Sequence, residues 1–198
     1  MNEQEHFLYI KNMVCPRCIQ SVEEEAVKAG FKVKSVKLGI LTLYEKPNKK
    51  IMKHFKKVIE LKGFELISKK RERIVAAIKT EVINMVHYGE KIPGNQNLST
   101  YLSSMLGKDY SYLSSLFSAY EKTTIEKYTI LQKAEKTKEL LSYDELSLRE
   151  IADLLGYSNT QHLSAQFKKI TGMSPSQYKK STEKQRLPID RLNKEDGD

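Results

Sequence analysis

At 198 residues, 39% of them hydrophobic, the chain is long enough for one or two ordinary domains with modest cores. No apolar run approaches the length that crosses a bilayer, and the N-terminus MNEQEHFLYI has neither the basic region nor the apolar stretch of a secretory signal, so the expectation is a soluble, cytoplasmic protein with no membrane partner. The net charge of +9 invites a polyanionic partner without locating its site, because residues 1–70 carry 15 Lys+Arg against 8 Asp+Glu and residues 71–198 carry 19 against 17.

Residues 5–70 read as strand, helix, strand, strand, helix, strand. HFLYIKN alternates as a strand, CIQSVEEEAVKAG is a helix ending at Gly30, and KVKSVKL and ILTLYEK are strands parted by Gly39. KKIMKHFKKVIELKG is a second helix and FELIS a last strand. This order predicts an α+β domain of the ferredoxin-like, split βαβ kind (βαββαβ). The two cysteines, Cys15 and Cys18, fall at the start of the first helix, too close together to staple a large loop. There the helix dipole favours thiolate, the form that binds a soft metal or attacks a disulfide. His6 and His54 have no ligand-like spacing to this pair, and the run Lys49, Lys50, Lys53, Lys56 and Lys57 reads as a solvated helix face, with added phosphate contacts as the alternative should the module fold over a nucleic acid.

The stretch Asn12-Met13-Val14-Cys15-Pro16-Arg17-Cys18 resembles the M-x-C-x-x-C loop of heavy-metal-associated domains, the modules of copper chaperones and metal ATPases. The likeness extends to Gly63-Phe64, where that family often carries an aromatic residue beside the loop, and it departs at Asn12, where glycine is usual. It implies metal binding at Cys15 and Cys18. Two thiolates alone suit Cu(I) or another soft ion, while zinc would need ligands that no other cysteine supplies. Met13 reads as a loop-packing residue. A thiol redox pair, or a module that lost its metal and serves dimerisation or partner binding, are the other readings.

The second half contains an internal repeat. At an offset of 50, Leu98 falls on Leu148, Leu113 on Leu163, Ser114 on Ser164, Phe117 on Phe167 and Tyr128 on Tyr178, without gaps. Such a duplication means one supersecondary unit used twice. In the second copy, Ser147-Leu148-Arg149-Glu150 is a capping box opening a short helix, Gly156 allows a turn, and Ser158-Asn159-Thr160-Gln161 is a second capping-box candidate. The helix that follows carries Leu163, Phe167 and Ile170 on one face until Gly172 and Pro175. Two short helices joined this way are a helix-turn-helix, whose second helix leads into the DNA major groove with its N-terminal residues. A helix is predicted over 74–87, another over 123–141 with Thr123-Thr124-Ile125-Glu126 as its capping box, and a poorly ordered charged tail over 182–198.

GYSNTQHLSAQFKKITGMSPSQYKK resembles the C-terminal signature of bacterial AraC/XylS-type transcription regulators. The resemblance covers residues 83–181 and implies an all-α double helix-turn-helix domain on double-stranded DNA. On the second recognition helix Asn159, Thr160, Gln161, Ser164, Ala165 and Lys168 face outward. Gln161 suits an adenine edge, and Lys168 and Lys169 suit phosphates. By the resemblance Thr160, Gln161 and Ala165 fall where bases are read; Ala165 replaces the arginine common there, leaving at most a thymine methyl to recognise. The first recognition helix presents Ser111, Ser114 and Ser115, which discriminate bases poorly, and its Leu106 stands where the second copy has Gly156. His162 reads as a partly buried structural residue.

Together the modules predict a DNA-binding transcription regulator gated by a soft metal ion, acting as monomer or homodimer. The competing prediction is a metal carrier, with a metal-donor protein as partner and an appended interaction domain. No Ser/His/Asp set, carboxylate pair or phosphate-cradling glycine loop points to an enzyme.

Overall fold

A computed structural model describes residues 5–90, 92, 96–181, 186–190 and 192. The chain divides into two compact units, Met1–Thr80 and Glu81–Asp198. Among the described residues no helix is long and apolar enough to cross a membrane.

The first unit holds β1 (His6–Lys11), α1 (Pro16–Lys28), β2 (Val33–Lys37), β3 (Ile40–Leu43), α2 (Lys49–Leu61) and β4 (Glu65–Ile67), in the order predicted. The strands form one antiparallel sheet in the order β2-β3-β1-β4. In β1, Phe7 faces Thr42 and Tyr9 faces Ile40 across β3, and Tyr9 meets Ile67 of β4 on the other side. Both helices pack on this sheet because each carries one apolar stripe. Val22 and Ala26 of α1, Phe55 and Ile59 of α2, and Ile10 and Leu41 of the sheet are almost wholly buried, with the Phe31 and Phe55 rings 4.8 Å apart. At the β2–β3 hairpin Gly39 has φ +77°, and a Cβ there would stand 3.1 Å from Thr80 Oγ1, so both backbone conformation and space call for glycine.

The helix expected at 74–87 is α3 (Lys70–His87), longer by one turn at its start. Arg73 explains the added turn: its Nε donates to the Ile67 carbonyl at 3.3 Å and its guanidinium lies 4.6 Å from the Tyr9 ring centre. The division between the units falls inside α3, after Thr80.

The second unit contains α4 (Leu98–Leu106), α5 (Tyr110–Glu121), α6 (Ile125–Tyr143), α7 (Leu148–Leu154), α8 (Thr160–Thr171) and α9 (Pro175–Lys180). The repeat offset of 50 holds for the start of α4 against α7, of α5 against α8 and of α6 against α9. It holds in the cores as well. Phe117 meets Tyr128 at 5.6 Å between ring centres, Phe167 meets Tyr178 at 5.7 Å, and all four rings are buried. Each repeat is thus three helices, with the third closing the core of the first two by one tyrosine. Lys122 and Gly172 end α5 and α8 in the same left-handed conformation, at φ 57° and 77°.

Two caps fall one residue later than expected. Thr124, not Thr123, caps α6 by accepting from Lys127 N at 3.1 Å, and the helix runs Ile125–Tyr143 rather than 123–141. Asn159, not Ser158, caps α8 by accepting from His162 N at 2.8 Å. In both places adjacent residues have equal capping chemistry, so the choice falls to chain direction at the preceding turn.

Helix α6 carries buried polar residues that an amphipathic pattern does not foretell. Gln132 is fully buried, its Oε1 2.8 Å from His87 Nε2 and its Nε2 donating to the Ile189 carbonyl at 3.0 Å. Glu135 accepts from Leu187 N at 3.1 Å, and Glu139 accepts from Arg186 and Lys136, each at 2.8 Å. These bonds fasten residues 186–190 to α6, and Leu192 is buried. The expected disorder over 182–198 is therefore corrected for those residues: the segment looked merely charged, but α6 offers it matched partners. Residues 182–185, 191 and 193–198 lie outside the described residues.

Candidate nucleic-acid interface

The turn before α8 is built by one glycine and one tyrosine. Gly156, at φ +67°, lets the chain reverse after α7, so that Tyr157 N reaches the Ala152 carbonyl at 2.8 Å and Gly156 N the Asp153 carbonyl at 3.2 Å. This is a Schellman closure. The Tyr157 ring then turns inward, its hydroxyl donating to Gln166 Oε1 at 2.6 Å and its ring lying perpendicular to that of His162, 5.3 Å between centres. Burial pushes the Tyr157 hydroxyl up to about 12, so it stays a donor. Lys133 of α6 lies 5.0 Å from the centre of the same ring. Tyr157 therefore sets the angle at which α8 leaves the turn, a role the sequence reading missed although the Gly-Tyr pair signals it.

On α8, Leu163 and Phe167 are buried, and Gln161, Ala165, Lys168 and Lys169 are exposed along one side. Thr160 and Ser164 are half-buried beside them, and Thr160 Oγ1 donates to Gln161 Oε1 at 3.2 Å. Asn159 is exposed, but its Oδ1 is committed to capping, which leaves only its amide N–H groups for a partner. Among the described residues Lys168 and Lys169 make no ion pair, so both ammonium groups stay available to phosphate. His162 is exposed rather than partly buried, its ring perpendicular to that of Tyr157 and its Nδ1 3.3 Å from Ser158 Oγ.

In the first repeat α4 runs to Leu106 and turns at Gly107, φ +58°, so the residues between helices fall from five after α7 to three after α4. Placing glycine one step later lengthens α4 and shortens the turn, while α5 keeps its register. Ser111 and Ser115 are exposed and Ser114 is half-buried. Tyr112, between them in sequence, is 41% exposed, as is Tyr120 near the end of the same helix. At the helix start, the Tyr110 hydroxyl donates to the Glu126 carboxylate; burial and this bond raise the phenol, and the bond, against the opposing effect of burial, holds Glu126 below the usual carboxylate range. The α5 face thus offers hydroxyl groups but no cation at the places of Lys168 and Lys169.

The cysteine loop lies in the other unit. Cys15 precedes α1 and Cys18 sits in its first turn after Pro16; both are free thiols, half-buried, with Sγ atoms 3.2 Å apart. Burial pushes the Cys18 thiol up, ahead of the opposing hydrogen bonds from the backbone, so the expected thiolate preference is reversed at that residue. Asn12 takes φ +71°, which explains why glycine suits that position, and its Nδ2 donates to the Gly63 carbonyl at 2.8 Å. Met13 and Phe64 are buried, consistent with packing. Among the described residues no group of three His, Cys, Asp or Glu side chains is placed to hold a metal. With metal–sulfur bonds of about 2.3 Å, two sulfurs facing each other across an ion would stand about 4.6 Å apart, so holding a two-coordinate soft ion would require these side chains, at 3.2 Å, to rotate apart by more than about 1 Å.

Two closed three-helix repeats, each ending its turn in an outward helix, define residues 98–180 as a paired helix-turn-helix, and residues 102–181 match the helix-turn-helix domain family. Over 80 residues, 40% of this chain and 29% of the relative, it is 35% identical to the raffinose operon transcriptional regulatory protein RafR of Pediococcus pentosaceus. Over 106 residues, 52% of this chain and 36% of the relative, it is 27% identical to the Msm operon regulatory protein of Streptococcus mutans. The C-terminal domain of AraT, a response regulator from Geobacillus stearothermophilus, superposes with a TM-score of 0.49 at 24% identity, over 61% of this chain and 92% of that one. The matched stretches span about a third of the length of the two operon regulators.

Proposed function

We propose that the chain is a transcription regulator of the AraC/XylS type that reads duplex DNA mainly through α8. The observation that carries this is the outward row Gln161, Ala165, Lys168 and Lys169 on a helix whose opposite side is locked by Phe167 and Tyr178. The names of the two matched relatives, both operon regulators, support it. Gln161 presents an amide for a base edge, Thr160 and Ala165 contact neighbouring bases, and Lys168 and Lys169 hold phosphates. Asn159 and Ser164 line the same entry. The serines of α5 position the first repeat on a second groove.

Selection of bound genomic fragments by the full chain supplies the test. For the selected site, Gln161→Ala is expected to lose about 1–3 kcal/mol of discrimination at one base pair. Lys168→Ala should instead weaken all sequences alike and lower the slope of log K against log salt by about 0.9. Salt-insensitive or absent duplex binding refutes the proposal.

The N-terminal unit, in this reading, is a ferredoxin-like module of the heavy-metal-associated kind, with Cys15 and Cys18 as thiolate ligands for Cu(I) or a similar soft ion. The paired half-buried thiols in one loop support it. A bound ion would join the two sulfurs through soft metal–thiolate bonds. Regulation follows only where the ion favours one protein arrangement over another. Promoter affinity measured with and without Cu(I) should then differ severalfold in the wild type and not in Cys15→Ser. Uptake of Cu(I) with unchanged promoter affinity removes the gating; metal transfer to a partner without duplex binding favours a carrier instead.

A further inference from the structure

We infer that the lysine face of α2 is a second contact for the phosphate backbone of duplex DNA, an inference that rests on the regulator reading above. Residues 46–59 contain six lysines and no acid. On α2, Phe55 and Ile59 point into the core, while Lys49, Lys50, Lys53, Lys56 and Lys57 are all exposed. Elsewhere in the unit five lysines are matched among the described residues: Lys28 and Lys62 both meet Glu25 at 3.0 Å, Lys32 meets Glu45 at 3.1 Å, Lys34 pairs with Glu5 and Lys69 meets Glu72 at 3.2 Å. On α2 only Lys56 is matched, with Glu60 at 3.7 Å; among the described residues Lys49, Lys50, Lys53 and Lys57 have no carboxylate partner.

Helix stability does not account for this arrangement. Lys49 and Lys50 open α2, whose first turn holds no acid and whose last turn holds no base, the reverse of what the helix dipole favours. Glutamate or glutamine would serve the helix better there and propagate it as well. A polyanionic partner offsets both the mutual repulsion and the unfavourable dipole. Lys49 to Lys57 covers about 12 Å of helix axis, while duplex DNA carries one charge per about 1.7 Å, so four ammonium groups can engage one stretch of backbone.

Duplex DNA suits the face better than the other anionic surfaces. A membrane-surface helix needs its apolar side free for the bilayer, and that side of α2 is buried. The cores of protein–protein interfaces are depleted in lysine. The covalent link to the helix-turn-helix repeats also keeps the face at high effective concentration near any duplex they hold.

The experiment measures binding of the full chain to a mixed-sequence duplex across a salt series. Lys49→Gln, Lys50→Gln, Lys53→Gln and Lys57→Gln together should lower the slope of log K against log salt by about 2 to 3.6, with each half of the set, 49/50 and 53/57, giving about half the fall. The comparison variant removes the same charge from paired lysines, Lys28→Gln, Lys32→Gln, Lys34→Gln and Lys62→Gln, and should leave the slope near that of the wild type. The half-set variants keep the question decidable if the fourfold variant unfolds. Equal slopes in wild type and the α2 variants, the result expected of an acidic protein partner, overturn the inference, and so does an equal fall in the comparison variant. Failure of the wild type itself to bind duplex is a different result, and refutes the regulator reading.

Discussion

Phe167→Ala is expected to destabilise the second unit by about 3–5 kcal/mol, measured by urea unfolding of the full chain, and to abolish duplex binding at ordinary protein concentrations. Phe167 is 2% exposed and meets Tyr178 edge-on at 5.7 Å, so alanine leaves a cavity between α8 and α9 and frees the helix that presents Gln161. Phe117→Ala should cost a similar amount, because Phe117 makes the equivalent contact with Tyr128 at 5.6 Å. The two differ in function. With the cation-bearing face on α8, loss of the first repeat should weaken binding less than loss of the second. A change under about 1 kcal/mol for both would show that the aromatic pairs do not close these cores.

The next largest effect is expected at Gln132. The Ile189 carbonyl can only accept, so it fixes the Gln132 Nε2 toward itself, leaves Oε1 for His87 and thereby places the His87 proton on Nε2. Gln132→Leu keeps the volume but strips both partners in a buried place, at about 1–3 kcal/mol for each orphaned group. It should also release residues 186–190, read as faster amide exchange there. Stability should depend on pH through His87. Burial holds its imidazole below the ordinary value of 6.5, so the unfolded chain takes up a proton that the folded chain refuses. Stability is then full above pH 6.5 and declines as pH falls below it, toward the lower pKa of the folded state. His87→Gln should flatten that decline, and an unchanged profile would assign the loss to other groups.

Much of this molecule is written in local pattern. Alternation and 3.6-residue spacing name the six elements of residues 5–70 in order, because each strand and helix buries one face and exposes the other. The offset of 50 carries the double helix-turn-helix, since a repeated apolar pattern is a repeated core; Phe117 with Tyr128 and Phe167 with Tyr178 are its physical counterpart. Gly156, Gly172 and the capping box at Ser147 are equally local and were readable for the same reason.

What pattern could not decide was any outcome set by partners distant in sequence. Two adjacent side chains with the same capping chemistry, Thr123 and Thr124 or Ser158 and Asn159, are separated only by the direction of the incoming chain. Gln132 and Glu135 look like solvent-facing positions of a charged helix until His87 and residues 187–189 arrive to satisfy them. The Cys18 thiol sits where a helix dipole should favour its charge, yet the burial created by packing of the loop dominates. The lysines of α2 and those around Glu25 are indistinguishable in composition. By itself the sequence determined element order, repeat and candidate recognition helix, because those depend on near neighbours; tertiary structure alone decided which polar groups are buried, which charges are matched and which side of each helix remains for a partner, because those depend on what folds against them.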